Sequence, residues 1–185
     1  MDTGLIARRY ARALADFAES NGEMTRTAGE AAQFIEIHNR SCELREVLQS
    51  PVLTADEKMS VVHKAMGAEP GRSFEGFLRL VIRHHREKWL CFMLPAFVGI
   101  YKQRYGIVDM TLTTASEVDD DFVDRLSARV GLETHSREVR VHRCIDPSLI
   151  GGFRFRIDDR LLDASIATQL RRVEQKLGRL PERKL

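Results

Sequence analysis

The sequence predicts a chain of two parts, a helical N-terminal part followed by a small mixed α/β domain, within 185 residues. Before Gly106, apolar residues recur at intervals of three and four, which is typical of helices that bury one face. After it the interval changes to two, as at Val108 and Met110, which is typical of a strand. We therefore predict a multi-domain α plus α/β fold, with a six-helix bundle over residues 1–106 and a small mixed α/β domain over residues 107–185.

The first three helices are bounded by ordinary start and stop signals. The first is expected to end at Gly22, because glycine readily adopts the left-handed conformation found at helix C-termini. A second helix is predicted from about Met24 to Asn39, and a short third helix is capped by Ser41 and ends near Leu48. The apolar stripe of the first helix consists of Ile6, Tyr10, Ala13, Leu14 and Phe17.

A capping box marks the fourth helix. Thr54 and Glu57 have the spacing at which each side chain satisfies the other residue's exposed backbone N–H group. This helix is predicted to run to Met66 and to stop at Gly67, and a fifth helix follows Ser73. The apolar residues of the fifth helix are Phe74, Phe77, Leu78, Val81 and Ile82.

A proline complicates the sixth helix, which is predicted to end at Tyr105. Pro95 lacks an N–H group, and its ring clashes with the preceding turn when it lies inside a helix. Two interpretations stay open. Either the helix begins near Leu94 with Pro95 in its first turn, or it starts earlier and kinks at Pro95.

Beyond Gly106 the pattern predicts the order strand, helix, strand, strand, strand, helix, which fits a small mixed sheet with helices packed on it. The corresponding segments lie around residues 108–112, 119–130, 139–144, 153–157, 160–162 and 165–180. We expect the first half of the last helix to pack on the sheet face that carries Phe153, Phe155 and Ile157. Its second half, with Leu177 and Leu180, is expected to stay uncovered.

Composition excludes several classes of protein. Hydrophobic residues make up 43% of the chain, too many for a disordered protein. The 29 basic and 27 acidic side chains give a net charge of +2, which argues against a nucleic-acid-binding protein. The longest apolar stretch, Trp89–Tyr101, is interrupted by Pro95 and is shorter than the roughly 20 residues of a membrane-spanning helix. We therefore expect no direct membrane insertion.

No residue constellation predicts catalysis, a metal or a cofactor. The segment Gly67–Ser73 superficially resembles a phosphate-binding loop, but it follows a helix and carries Arg in place of Lys, so a helix-connecting loop is favoured. The histidines lack zinc-binding spacing, and the three cysteines are far apart, which favours free thiols. We expect no enzymatic activity and no cofactor.

The first and fifth helices have the richest apolar stripes, and two interpretations of them are open. Both stripes can simply belong to the core of the bundle. Alternatively, the two helices leave a shared groove for an amphipathic helix of another protein, a common mode of recognition. Spacing alone does not separate the two.

Four sequence blocks, in order along nearly the whole chain, resemble the delta subunit of F-type ATP synthases, the oligomycin sensitivity conferral protein family. The C-terminal block is the most specific, although Asp158 and Ala164 stand where the family often has glycine. The blocks are residues 7–14; Leu48, Pro51 and Lys58; Phe77-Leu78, Arg86 and Leu90; and residues 150–157 with 163–165 and Leu170.

The resemblance implies a non-catalytic subunit that ties the catalytic head to the peripheral stalk, so that the head does not turn with the rotor. It also implies a peripheral location on the cytoplasmic side of a bacterial membrane. The alpha subunit's N-terminal helix would bind the first and fifth helices, and the b subunits of the stalk would bind the C-terminal domain at Leu177 and Leu180. The expected alpha-binding residues are Ile6, Tyr10, Ala13, Leu14, Phe17, Phe74, Phe77, Leu78 and Val81.

The competing class is a nucleic-acid-binding module. A small mixed sheet can bind RNA through exposed aromatic and basic side chains. Phe153 and Phe155, flanked by Arg154 and Arg156, come closest to such a strand, but the balanced charge argues against it.

Overall fold

The computed structural model describes residues 3–157 and 160–177. The chain divides into two compact units, with the boundary between Arg104 and Tyr105. The predicted fold class is confirmed at the level of a helical part followed by a small mixed four-stranded sheet. The arrangement of the helices as a six-helix bundle stays a prediction.

Six α-helices precede the sheet, and a short 3-10 turn at Glu87–Trp89 lies between the last two. Large side chains that are fully buried, such as Phe34, Phe74 and Phe97, form the core of this unit. The helices are α1 Thr3–Ser20, α2 Met24–Arg40, α3 Cys42–Gln49, α4 Ala55–Met66, α5 Arg72–Arg83 and α6 Leu90–Tyr105.

Local signals set most of the helix ends. The predicted capping box of α4 is present, since Thr54 Oγ1 accepts from the Glu57 N–H and the Glu57 carboxylate accepts from the Thr54 N–H. Gly67 ends α4 with a φ of 69°. The end of α5 uses a non-glycine residue instead, because His85 takes the left-handed conformation with a φ of 51°.

The helix that contains Pro95 begins at Leu90, so of the two open interpretations the start near Leu94 is wrong and the earlier start is the one found. Pro95 therefore lies inside α6 and not in its first turn. Because proline lacks an N–H group, the helical hydrogen bond to the carbonyl of Cys91 cannot form. The preceding 3-10 turn starts the helical conformation earlier than the proline signal suggests.

The second unit is built on a mixed sheet with the strand order β2-β1-β3-β4. Strand β1 lies parallel to β2 and antiparallel to β3, which pairs antiparallel with β4. The elements are β1 Ile107–Thr114, α7 Asp120–Thr134, β2 Glu138–Ile145, a 3-10 turn Pro147–Leu149, β3 Phe153–Ile157, β4 Arg160–Asp163 and α8 Ile166–Leu177.

Helix α7, and not α8, packs on the apolar face of the sheet. Leu112 pairs with Phe155 across β1 and β3 and is 1% exposed. The ring of Phe122 on α7 meets the ring of Phe153 edge-on, with centroids 5.6 Å apart. Helix α7 therefore covers this face at Phe153, whereas Leu162, which pairs with Phe155 on the same face, stays 48% exposed.

The expectation that the first half of α8 packs on this face is therefore wrong. Ile166 is 44% exposed and Leu170 is 57% exposed. At Phe153, the ring of Phe122 on α7 makes the contact that the last helix was expected to make. Helix α8 thus carries an exposed apolar stripe.

Candidate partner-binding groove between α1 and α5

An apolar groove of about 340 Å³ opens between α1 and α5. Two of its side chains are substantially exposed, Phe17 by 44% and Leu80 by 42%. Contiguous apolar surface of this kind is typical of a site that another molecule covers. The lining residues, which we call the groove, are Tyr10, Ala13, Leu14, Phe17, Gly76, Phe77 and Leu80.

The two helices run antiparallel along the groove. Near one end, the Asn21 side-chain amide donates to the Ser73 hydroxyl at 3.0 Å. At the other end, Arg86 donates to the Tyr10 hydroxyl at 2.9 Å. Contacts between side chains at both ends therefore fix the two helices along the length of the groove.

Glycine widens the groove at its centre. A Cβ atom at Gly76 would lie 3.8 Å from the Phe17 ring, in ordinary contact, so the absent side chain leaves the ring open. Glycine inside a helix costs about 0.5–1 kcal/mol relative to alanine. A residue that weakens the helix but exposes an aromatic ring is consistent with a binding surface.

The structure separates the nine sequence-predicted residues into three sets. Five of them line the groove, and Ile6 lies half-buried one turn before Tyr10. Phe74, Leu78 and Val81 are buried in the core, with 0–1% exposure. The five groove residues are Tyr10, Ala13, Leu14, Phe17 and Phe77.

This division has a physical cause. Helix α5 carries apolar residues over more than one of its faces, and Phe74 packs edge-on against Phe34 of α2 with ring centroids 6.0 Å apart. Apolar spacing alone does not distinguish the interior face from the groove face. It also missed Gly76, which carries no hydropathy signal, and Leu80, although Leu80 follows Phe77 by one turn.

A buried ion pair supports the polar end of the groove. Lys58 Nζ lies 2.6 Å from Glu87 Oε1, and both side chains are about 5% exposed. Glu87 directly follows Arg86, whose guanidinium lies 5.3 Å above the centre of the Tyr10 ring. The ion pair therefore anchors the turn that presents Arg86 to the groove.

The C-terminal candidate site is only partly described. Leu180 lies outside the described residues, and so does the side chain of Leu177. The described part of the same stripe is exposed at Ile166 and Leu170. This apolar pair, which we call the α8 stripe, stands on the first turns of α8.

Asp163 anchors the start of α8. The Ser165 hydroxyl and backbone N–H both donate to Oδ1, at 2.6 and 2.9 Å, while Thr168 and Arg154 donate to Oδ2. These hydrogen bonds, led by that of the Ser165 hydroxyl, hold the pKa of the Asp163 carboxyl well below its ordinary value. The carboxylate therefore joins β3, β4 and α8.

The described residues offer little for other chemistry. They contain no group of three or more His, Cys, Asp or Glu side chains placed to hold a metal ion. Nor does any helix within the described ranges combine the length and apolarity that crossing a membrane requires. The three cysteines, Cys42, Cys91 and Cys144, are exposed free thiols.

The RNA-binding alternative is not supported by the sheet. Phe153 and Phe155 share the face that α7 packs against, whereas Arg154 and Arg156 point to the opposite face. A stacking surface for bases needs aromatic and basic side chains on one exposed face. This strand separates them.

Comparisons with known proteins agree with the resemblance seen in the sequence. The family described as ATP synthase delta (OSCP) subunit matches residues 6–177. The chain is 36% identical to ATP synthase subunit delta of Phocaeicola vulgatus and 34% identical to that of Bacteroides thetaiotaomicron, in each case over 95% of both chains.

A solved structure shares the fold. A chain of the Toxoplasma gondii mitochondrial ATP synthase hexamer superposes with a TM-score of 0.68 at 18% sequence identity, covering 93% of this chain and 97% of that one. Because the family model matches residues 6–177 and the relatives are up to 36% identical over 95% of the chain, the chain belongs to the ATP synthase delta (OSCP) subunit family.

Proposed function

We propose that this protein is a non-catalytic joint of a bacterial F-type ATP synthase, which ties the catalytic head to the peripheral stalk. In this role the helical unit, as a six-helix bundle, binds the N-terminal helix of the alpha subunit, and the C-terminal unit binds the b subunits. The joint is peripheral to the membrane, on its cytoplasmic side, and holds the head still while the rotor turns.

The exposed apolar groove carries this proposal. It lies between α1 and α5, it leaves Phe17 and Leu80 nearly half exposed, and its polar contacts lie at its two ends. An amphipathic helix that covers it would gain roughly 1.5–3 kcal/mol for each large apolar side chain that becomes fully buried. A few such contacts can hold a helix after the cost of association is subtracted.

The α8 stripe is the proposed start of the stalk contact. Ile166 and Leu170 are exposed on the side of the helix from which the expected contacts of Leu177 and Leu180 continue. A stripe that repeats at intervals of four and three is suited to pairing with another helix. The b subunit contact is therefore proposed to run along α8.

One experiment with two variants tests both contacts. Ala13→Asp places a carboxylate on the exposed wall of the groove, where a docked apolar helix would desolvate it. We expect calorimetry to show no binding of a peptide from the alpha subunit's N-terminus, while co-purification with the b subunits is kept. Leu170→Ser should keep the affinity for the peptide and lose co-purification with the b subunits.

The matched control is Ala32→Asp, which makes the same change at an exposed position of α2 outside the groove. It should leave both contacts and the thermal melt unchanged. Unchanged peptide affinity in Ala13→Asp, with a normal melt, would contradict the head contact. Retained b binding in Leu170→Ser would place the stalk contact elsewhere on the C-terminal unit.

A further inference from the structure

The groove has a basic end, at Tyr10. Arg9 lies one helical turn before Ala13 on α1, and Arg83 lies one turn after Leu80 on α5, so both continue the rims of the groove toward that end. Both side chains are exposed, and within the described residues neither has a carboxylate partner. These two cations are therefore available to a docked molecule.

Arg86 adds a third cation with unused hydrogen-bonding capacity. It is half-buried, and in the described part of the chain its one hydrogen-bond acceptor is the neutral hydroxyl of Tyr10. A guanidinium carries five N–H donors in a fixed fork. A partly buried cation is costly unless an anion pairs with it. The position therefore favours a carboxylate supplied from outside this chain.

At the opposite end of the groove, the acidic side chains already have cationic neighbours in this chain. Asp16 and Glu19 both pair with Arg104. Glu23 accepts hydrogen bonds from Ser73 and lies close enough to Arg72 for their charges to interact. The unsatisfied charge of the groove is thus concentrated at Tyr10.

We propose that Arg86 determines the orientation of the helix that docks in the groove. The accepted segment is an amphipathic helix with an acidic side chain near one end, and that end lies at Tyr10, where the carboxylate pairs with Arg86. The apolar residues provide the contact area, and the charge pair selects one of the two antiparallel directions. This inference rests on the proposed head contact and specifies the chemistry of the segment.

The test is a double-mutant cycle by titration calorimetry on the full-length protein. One probe is a synthetic peptide of the alpha subunit's N-terminal segment, and the other is the same peptide with every Asp and Glu changed to Asn and Gln. We expect Arg86→Gln to weaken binding of the first peptide at least about tenfold. The peptide with amides should bind wild-type protein as weakly as the acidic peptide binds Arg86→Gln. The Arg86→Gln change should not weaken binding of the amide peptide further.

Two further variants separate pairing from folding and from net charge. Arg86→Lys keeps the charge but not the planar fork, so it should bind with intermediate affinity. Arg40→Gln removes the same charge from an exposed position on α2 and should bind like wild type. Full binding of the acidic peptide by a folded Arg86→Gln would overturn the inference and leave the head contact intact. No binding by wild-type protein would overturn both.

The orientation can be measured directly. A nitroxide label on the acid-bearing end of the peptide should broaden the amide signals of Arg9 and Arg83. A label on the other end should instead broaden those of Ser20 and Ser73, which lie at the end of the groove opposite Tyr10. The reverse pattern, or equal broadening from both labels, would overturn the inference.

Discussion

At the scale of single residues, Lys58 and Glu87 show how a buried charge pair can hold a turn in place. Their contact of 2.6 Å joins α4 to the 3-10 turn, and almost no solvent reaches either side chain. Removing one partner of such a pair leaves an uncompensated charge in the interior. Replacing both with apolar groups removes the desolvation cost as well.

We therefore expect Lys58→Met or Glu87→Leu alone to lower the free energy of unfolding by about 3–5 kcal/mol, and the double variant to lie much closer to wild type. Urea unfolding followed by the fluorescence of Trp89 measures each difference. The exposed pair Arg129–Glu133 is the comparison, where Arg129→Ala should change stability by at most about 0.5 kcal/mol. Additive losses in the double variant would contradict the expectation.

At the scale of whole elements, the sequence predicted the helix ends set by local signals but not which elements pack on each other. The capping box at Thr54 depends on residues three apart, so the sequence contains all the information needed. The packing of the sheet face involves Phe122, more than 40 residues before α8, whose ring lies against Phe153. The groove depends on Gly76, whose effect comes from a missing side chain that no hydrophobic pattern records.

The stability that the hydrogen bonds of Asp163 give to the connection between β4 and α8 should depend on pH. Hydrogen bonding lowers the pKa of the folded carboxyl below its ordinary 3.8, so its stabilising effect is present above that value and is lost as the pH falls below it. Asp163→Asn should therefore destabilise the C-terminal unit at pH 7. The difference between wild type and Asp163→Asn in the free energy of unfolding should shrink as the pH falls below about 4.

Urea unfolding followed by circular dichroism at several pH values measures this difference. Asp124→Asn, at an exposed position of α7, is the matched control and should show little difference from wild type at any pH. If the difference in the free energy of unfolding for Asp163→Asn stayed constant from pH 7 to pH 3, the hydrogen bonds would stabilise the unit independently of the charge on the carboxyl group.

At the scale of the whole molecule, the chain divides after Arg104, so we expect a substitution that destabilises one unit to leave the stability of the other unchanged. Trp89, the chain's one tryptophan, lies in the helical unit and reports on that unit alone. Gly152 offers a sharp perturbation of the other unit. Its φ is 78°, and a Cβ atom there would lie 2.5 Å from the Ala164 carbonyl oxygen.

We expect Gly152→Ala to destabilise the C-terminal unit by at least about 2 kcal/mol, because backbone strain adds to that clash. The urea transition seen by circular dichroism should then split, while the Trp89 fluorescence transition stays at its wild-type midpoint. Leu14→Ala, which truncates a side chain that is 2% exposed at the floor of the groove, should move the Trp89 transition instead. If Gly152→Ala moved the Trp89 midpoint as far as the circular dichroism midpoint, the two units would unfold in one cooperative transition, which would contradict the expectation.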